Sequence, residues 1–212
     1  TVFKLRGRVV ELEKEVAALK IFVNLLMEKL SMQNVATPPE VPVKKISARP
    51  VLLVFGTPTL GELDRNSMRN AGIPFFRLTN GRLEDLKDEL QRRRSDGNMY
   101  DIVHFSAHGT KDGHLDLNGQ LVTGEQLSDV LGGVNCAFLS TCSNHYLADK
   151  LVGVVKYVIV VYEEIEQDDA ANFVFEFYKR YRVNRDIETS FADAIAISPS
   201  VAEFVDLRVG GK

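Results

Sequence analysis

The chain has 212 residues, of which 45% are hydrophobic and 26% charged, and carries a formal charge of -3. That composition fits a soluble protein with one sizeable core and an appendage. It excludes a helical membrane span, because no run approaches the ~20 uncharged apolar residues that one needs. Charge is unevenly spread: residues 1–50 hold nine Lys/Arg against five Asp/Glu, leaving seventeen against twenty-four in residues 51–212, a balance near -7 that disfavours direct nucleic-acid binding. No secretory leader pattern is present. The two cysteines, Cys136 and Cys142, are too far apart along one short strand to pair, so free thiols in a reducing, cytoplasmic setting are expected.

Residues 1–32 read as a coiled-coil helix. Val2, Leu5, Val9, Leu12, Val16, Leu19, Val23, Leu26 and Leu30 alternate steps of three and four, with valine at a until Leu30 and leucine at every d, a combination that favours a parallel dimer. Arg8 facing Glu13, and Glu15 facing Lys20, add attractive g-to-e pairs. The alternatives are an amphipathic helix packed on the domain, or a higher oligomer, because Ile21, Phe22, Leu25 and Met27 widen the apolar face. Residues 33–50, with Pro38, Pro39, Pro42 and Pro50, read as a semi-extended linker.

From residue 51 to 212 the pattern alternates strand and helix. VLLVFGT, PFFRLT, IVHFSA, AFLST and YVIVVY are short, nearly continuous apolar runs of the kind covered on both faces of a sheet. Helical periods separate them, which predicts a three-layer αβα sandwich on a mostly parallel sheet. HLDL-NG-QLV predicts a small hairpin through a type I′ turn at Asn118-Gly119. Ala170, Phe173, Val174, Phe177, Tyr178 and Tyr181 form a helical stripe expected in the core, and EFVDLRV reads as an edge strand.

Ligands collect beyond the carboxyl ends of parallel strands. Two such ends carry nucleophile chemistry: HFSAHG closes the third strand and FLSTCSN the fourth, which predicts His108 beside Cys142. An imidazole there lowers the thiol pKa and later protonates a leaving amine. Gly109 permits a close backbone approach, so that its amide and that of Cys142 can receive an oxyanion. Neither metal nor cofactor is called for. A buried cysteine serving only as a small hydrophobe is the alternative. His104, inside the third strand, reads as structural.

The runs DIVHFSAHG, AFLSTCSN, DDAANFVFEFYKRY, SFADAI and EFVDLRV resemble the successive blocks of CHAT domains, relatives of caspases, separases and metacaspases, over residues 51–210. The resemblance implies a caspase-like fold and a cysteine endopeptidase acting on a protein or peptide substrate through a thioester acyl-enzyme. His108 would be the general acid and base and Cys142 the nucleophile, with the Gly109 and Cys142 amides as oxyanion hole. Where certain Lys/Arg-specific members carry an acid, two residues before the nucleophile, this chain has Ser140. Specificity at P1, the residue before the scissile bond, is therefore open. A slight preference for Lys or Arg follows if the acidic run that includes Glu164 and Asp168 walls the pocket; the alternative is that Asp168 or Asp169 caps the next helix. Control by oligomerisation or by a regulatory partner, in defence, signalling or cell death, is the setting implied. The competing functions are a catalytically silent scaffold and, remotely, a nucleotide-binding module, against which GTPTLGE offers no phosphate loop.

Overall fold

The structure, a computed structural model, describes residues 51–78, 81–141, 145–161 and 165–210. The expected coiled coil and linker, Cys142 and Glu164 lie outside the described residues. The apolar runs form the strands predicted for them: β1 (Val51–Phe55), β2 (Phe75–Leu78), β3 (Ile102–Ser106), β7 (Cys136–Ser140) and β8 (Tyr157–Val161). They lie in the order β2-β1-β3-β7-β8, all parallel, and β9 (Val205–Val209) closes the far edge antiparallel to β8. A separate three-stranded sheet, β4 (His108–Gly109), β5 (Leu115–Leu117) and β6 (Gln120–Val122), follows β3 directly. Its turn is the one anticipated, with Asn118 at φ 56° and Gly119 at φ 84°.

The central strands are buried along their whole length because helices cover both faces. On one face, Leu52, Val54, Val103, Phe105, Leu139 and Val158 pack with α2 (Leu83–Ser95), α3 (Gly124–Leu131) and α4 (His145–Leu151). On the other, Leu53, Ile102, Phe138 and Ile159 pack with α1 (Pro58–Asn70), α5 (Gln167–Asn184) and α6 (Ile187–Ile197). The α5 stripe is core as expected at Phe173, Val174, Phe177, Tyr178 and Tyr181, which are at most 1% exposed, while Ala170 in the first turn is half-buried. Each such side chain contributes roughly 1.5–3 kcal/mol by leaving water. No described helix is long and apolar enough to cross a membrane.

Local chemistry sets the helix starts. Thr123 and Gln126 form a reciprocal capping box at α3. At α5 the N-cap is Glu166, so Asp168 and Asp169 stand inside the first turn, where carboxylates face the positive end of the helix dipole.

A polar cluster joins α2 to the residue that leads into β3. The Tyr100 hydroxyl donates to Glu89 Oε1 at 2.5 Å, Arg92 donates to Oε2 at 2.7 Å and Arg93 to Oε1 at 3.2 Å. Burial alone would push the Glu89 carboxyl up, but the hydrogen bonds from Tyr100, Arg92 and Arg93 hold it below the usual carboxylate range. A folded-state pKa below the unfolded one adds stability that is complete above about pH 4.3 and is lost as pH falls through the lower folded value. Urea unfolding of Glu89→Gln should therefore show a shallower fall in midpoint than the parent below about pH 4. Identical acid slopes for the two proteins would rule out Glu89 as a contributor.

Candidate active site

The site is built at the carboxyl edge of the parallel sheet. In the β3–β7 register Ser106 pairs with Ser140, and each stands two residues before a candidate catalytic residue, His108 or Cys142. Adjacent strands run about 4.8 Å apart. His108 is exposed and opens β4, followed by the half-buried Gly109. Ser140, the last residue of β7, is half-buried at the same edge. Asp168 is exposed on the first turn of α5, which follows β8.

Backbone contacts lock the surroundings of His108. The Gly56 amide donates to the Ser106 carbonyl at 2.8 Å, and the Asn118 amide donates to the Gly56 carbonyl at 2.9 Å, tying the hairpin turn to the end of β1. Only glycine fits at position 56, because a Cβ there would run into Ala107 Cβ and the Asp116 carbonyl oxygen. The β4–β5 loop closes through the Thr110 amide on the His114 carbonyl at 2.9 Å. Gly113, at φ +77°, lies beneath the Tyr146 ring of α4, where a Cβ would come within 2.9 Å of the ring. The loop after His108 and the helix after Cys142 are thereby in contact.

Beneath this edge lies a polar network that the sequence did not disclose. His104 Nε2 is 2.9 Å from Asp64 Oδ2, His104 Nδ1 is 3.0 Å from the Tyr178 hydroxyl, and Ser106 Oγ donates to the same Asp64 oxygen. His104 and Ser106 are fully buried and Asp64 is 5% exposed. Burial drives the Tyr178 phenol well above its ordinary range, so it stays protonated and donates to Nδ1. The tautomer that satisfies every group then carries its proton on Nε2 and donates it to Asp64. The ring also stacks on Phe138, with centroids 4.4 Å apart. Asp64 accepts from both the histidine and the serine, so the histidine does not stand between acid and hydroxyl as a nucleophile-activating base would. The network ties α1 and α5 to β3, and His104 is structural, as its place inside the strand suggests.

Two further residues, Cys136 and Asp101, stand apart from this edge. Cys136 is a buried free thiol in β7 whose pKa burial pushes up, an inert setting. Asp101 precedes β3 at the opposite edge, bonded to the Tyr181 hydroxyl. Two surface hollows, of about 230 and 350 Å³, lie beside the hairpin turn and along β2, and neither is lined by His108.

No family model matches the chain, and no curated protein matches it in sequence. Among solved structures it is similar to a secreted C11 cysteine protease from Bacteroides thetaiotaomicron, solved in complex with an irreversible peptide inhibitor. The identity is 12% and the TM-score 0.54, over 72% of this chain and 59% of that one. The shared feature is the fold: a caspase-like α/β sandwich, with a mostly parallel six-stranded sheet between helical layers. The chain spans 59% of the length of that protease chain.

Proposed function

We propose that this chain is a CHAT-type cysteine endopeptidase with a His108/Cys142 dyad. The single observation that supports it most is the Ser106–Ser140 pairing, which sets the ends of two adjacent parallel strands side by side, each leading within two residues to a dyad member. The exposure of His108 at that edge agrees with a base that must meet substrate.

In this mechanism His108 takes the proton from the Cys142 thiol, and the thiolate attacks the scissile carbonyl carbon. The oxyanion is received by the Gly109 and Cys142 amides. The imidazolium gives its proton to the leaving nitrogen, the C–N bond breaks, and a thioester remains on Cys142. Water, deprotonated by His108, then attacks the thioester; the C–S bond breaks, a carboxylic acid departs, and the thiol is restored. Glu164, Asp168 and Ser140 are assigned to the P1 pocket, with a slight bias towards Lys or Arg.

The deciding experiment is intact-mass labelling by peptidyl electrophiles bearing Arg, Lys, Leu or Asp at P1, on the parent, Cys142→Ala and His108→Ala. Labelling that requires Cys142 and slows without His108 supports the dyad. A parent that never labels, even with candidate activators, makes the chain a caspase-like scaffold instead.

Residues 1–32 are assigned to assembly of a homodimer or higher oligomer, through which a cytoplasmic partner would control activity. Sedimentation equilibrium of the full chain at roughly tens of micromolar should give at least a dimer, with Leu12→Asp and Leu19→Asp together returning it to monomer. A monomeric parent would sink that assignment.

A further inference from the structure

We propose that Asp116 and Leu121 form a recognition strip for the leaving portion of a polypeptide substrate, in which Asp116 takes a lysine or arginine at the first residue after the scissile bond. The inference rests on the dyad reading for His108 and adds the substrate chemistry on that side.

It starts from the register of the three-stranded sheet. His108 pairs with Asp116, and Asp116 pairs with Leu121, so the three residues form one transverse row on one face. The opposite face carries Leu115, Leu117 and Val122, all 0% exposed in the core. The row therefore faces solvent, with His108 exposed, Asp116 half-buried and Leu121 58% exposed. An apolar side chain this open, one strand beyond a carboxylate and two beyond the candidate acid, has no role in the core. Strand spacing puts Asp116 about 5 Å and Leu121 about 10 Å from the His108 backbone.

The chemistry at His108 says what meets this row. The group His108 protonates is the leaving amine, so the residue that bears the amine is the one beside Asp116. The Asp116 carboxyl is already held by the turn, Oδ1 accepting the Gly119 amide at 2.7 Å. Among the described residues its other oxygen takes no hydrogen bond. A carboxylate with one oxygen fixed and the other without a hydrogen bond suits a single charged donor, which an ammonium or guanidinium supplies. Side chains on the same side of an extended peptide repeat every ~6.6 Å, comparable to one strand spacing, so Leu121 meets an apolar side chain at the third leaving residue.

The test digests a mixed peptide pool with the full-chain protein and reads cleavage sites by mass spectrometry. Sequences with Lys or Arg at the first leaving residue should be cleaved about tenfold better than those with Gln, the effect of one charge-assisted hydrogen bond. Asp116→Asn, which keeps an oxygen for the Gly119 amide, should bring that ratio to about one, and Leu121→Ser should erase the preference for an apolar third residue. A ratio that survives Asp116→Asn overturns the proposal, including the outcome in which every sequence slows equally because Asp116 acts on His108.

A second measurement separates this inference from the protease reading. Lys-Ala-Leu-Ala-amide and Gln-Ala-Leu-Ala-amide, mimics of a leaving product, are titrated into Cys142→Ala while the backbone amide signals of Asp116 and Leu121 are followed by NMR. Tighter binding of the lysine peptide that is lost in the added Asp116→Asn supports the strip even if the parent hydrolyses nothing. Equal or absent binding overturns it even if Cys142-dependent hydrolysis is found.

Discussion

Cys142→Ala should lower kcat/KM for peptide hydrolysis by about 10⁴-fold or more, to the level left by binding and oxyanion contacts alone. The thiolate forms the only covalent bond between protein and substrate in the proposed sequence, and alanine has nothing to replace it. His108→Ala should cost roughly 10²–10⁴-fold, the usual contribution of a positioned general acid and base. His108→Ala should keep the parental melting temperature closely, because this exposed residue makes no side-chain hydrogen bond among the described residues. Hydrolysis that persists in Cys142→Ala would end the dyad reading, and loss of folding in His108→Ala would contradict the exposure of that side chain.

Asp64→Ala should do the reverse, destabilising the domain without touching substrate. The substitution strands two buried donors, the His104 Nε2–H and the Ser106 hydroxyl, each of which costs about 1–3 kcal/mol when unpaired. A total of roughly 2–6 kcal/mol corresponds to a fall in melting temperature on the order of 10 °C for a domain of this size. Asp64→Asn should fall between, because an amide oxygen in the place of Oδ2 can still accept from both donors but without the negative charge. Calorimetry of the three proteins provides the check: a melting temperature for Asp64→Ala within about 2 °C of the parent would show that the network contributes little. The two histidines of the HFSAHG run thus part company, His104 measured by stability and His108 by rate.

Much of the fold is legible in the residues themselves. Short, nearly continuous apolar runs marked all five parallel strands, as expected of a sheet whose faces are covered by helices. Asn118-Gly119 specified its turn because both positions need a positive φ, which these two residues adopt most readily. The spacing of Phe173, Phe177 and Tyr181 marked the buried face of α5 for the same local reason. The candidate dyad was legible too, because His108 and Cys142 each follow an apolar run by a fixed short step.

What lay beyond the sequence is everything that depends on which distant segments meet. Asp64 stands 40 residues before His104, and Tyr178 stands 74 after it. No local periodicity links them; strand order and the side on which each crossing helix packs decide that α1 and α5 share a face over His104. Nothing local in the sequence marks Asp116, because it becomes the neighbour of His108 only through the pairing of β4 with β5, across a loop whose length alone does not set the register. The sequence by itself determined the strands and helices of the sheet domain and its hairpin turn, and it nominated the chemical pair, because each of these signals lies within a few residues of chain. The tertiary structure alone decided what satisfies the buried His104, namely Asp64 from α1 and Tyr178 from α5, because long-range hydrogen bonding belongs to the packed layers rather than to any one segment.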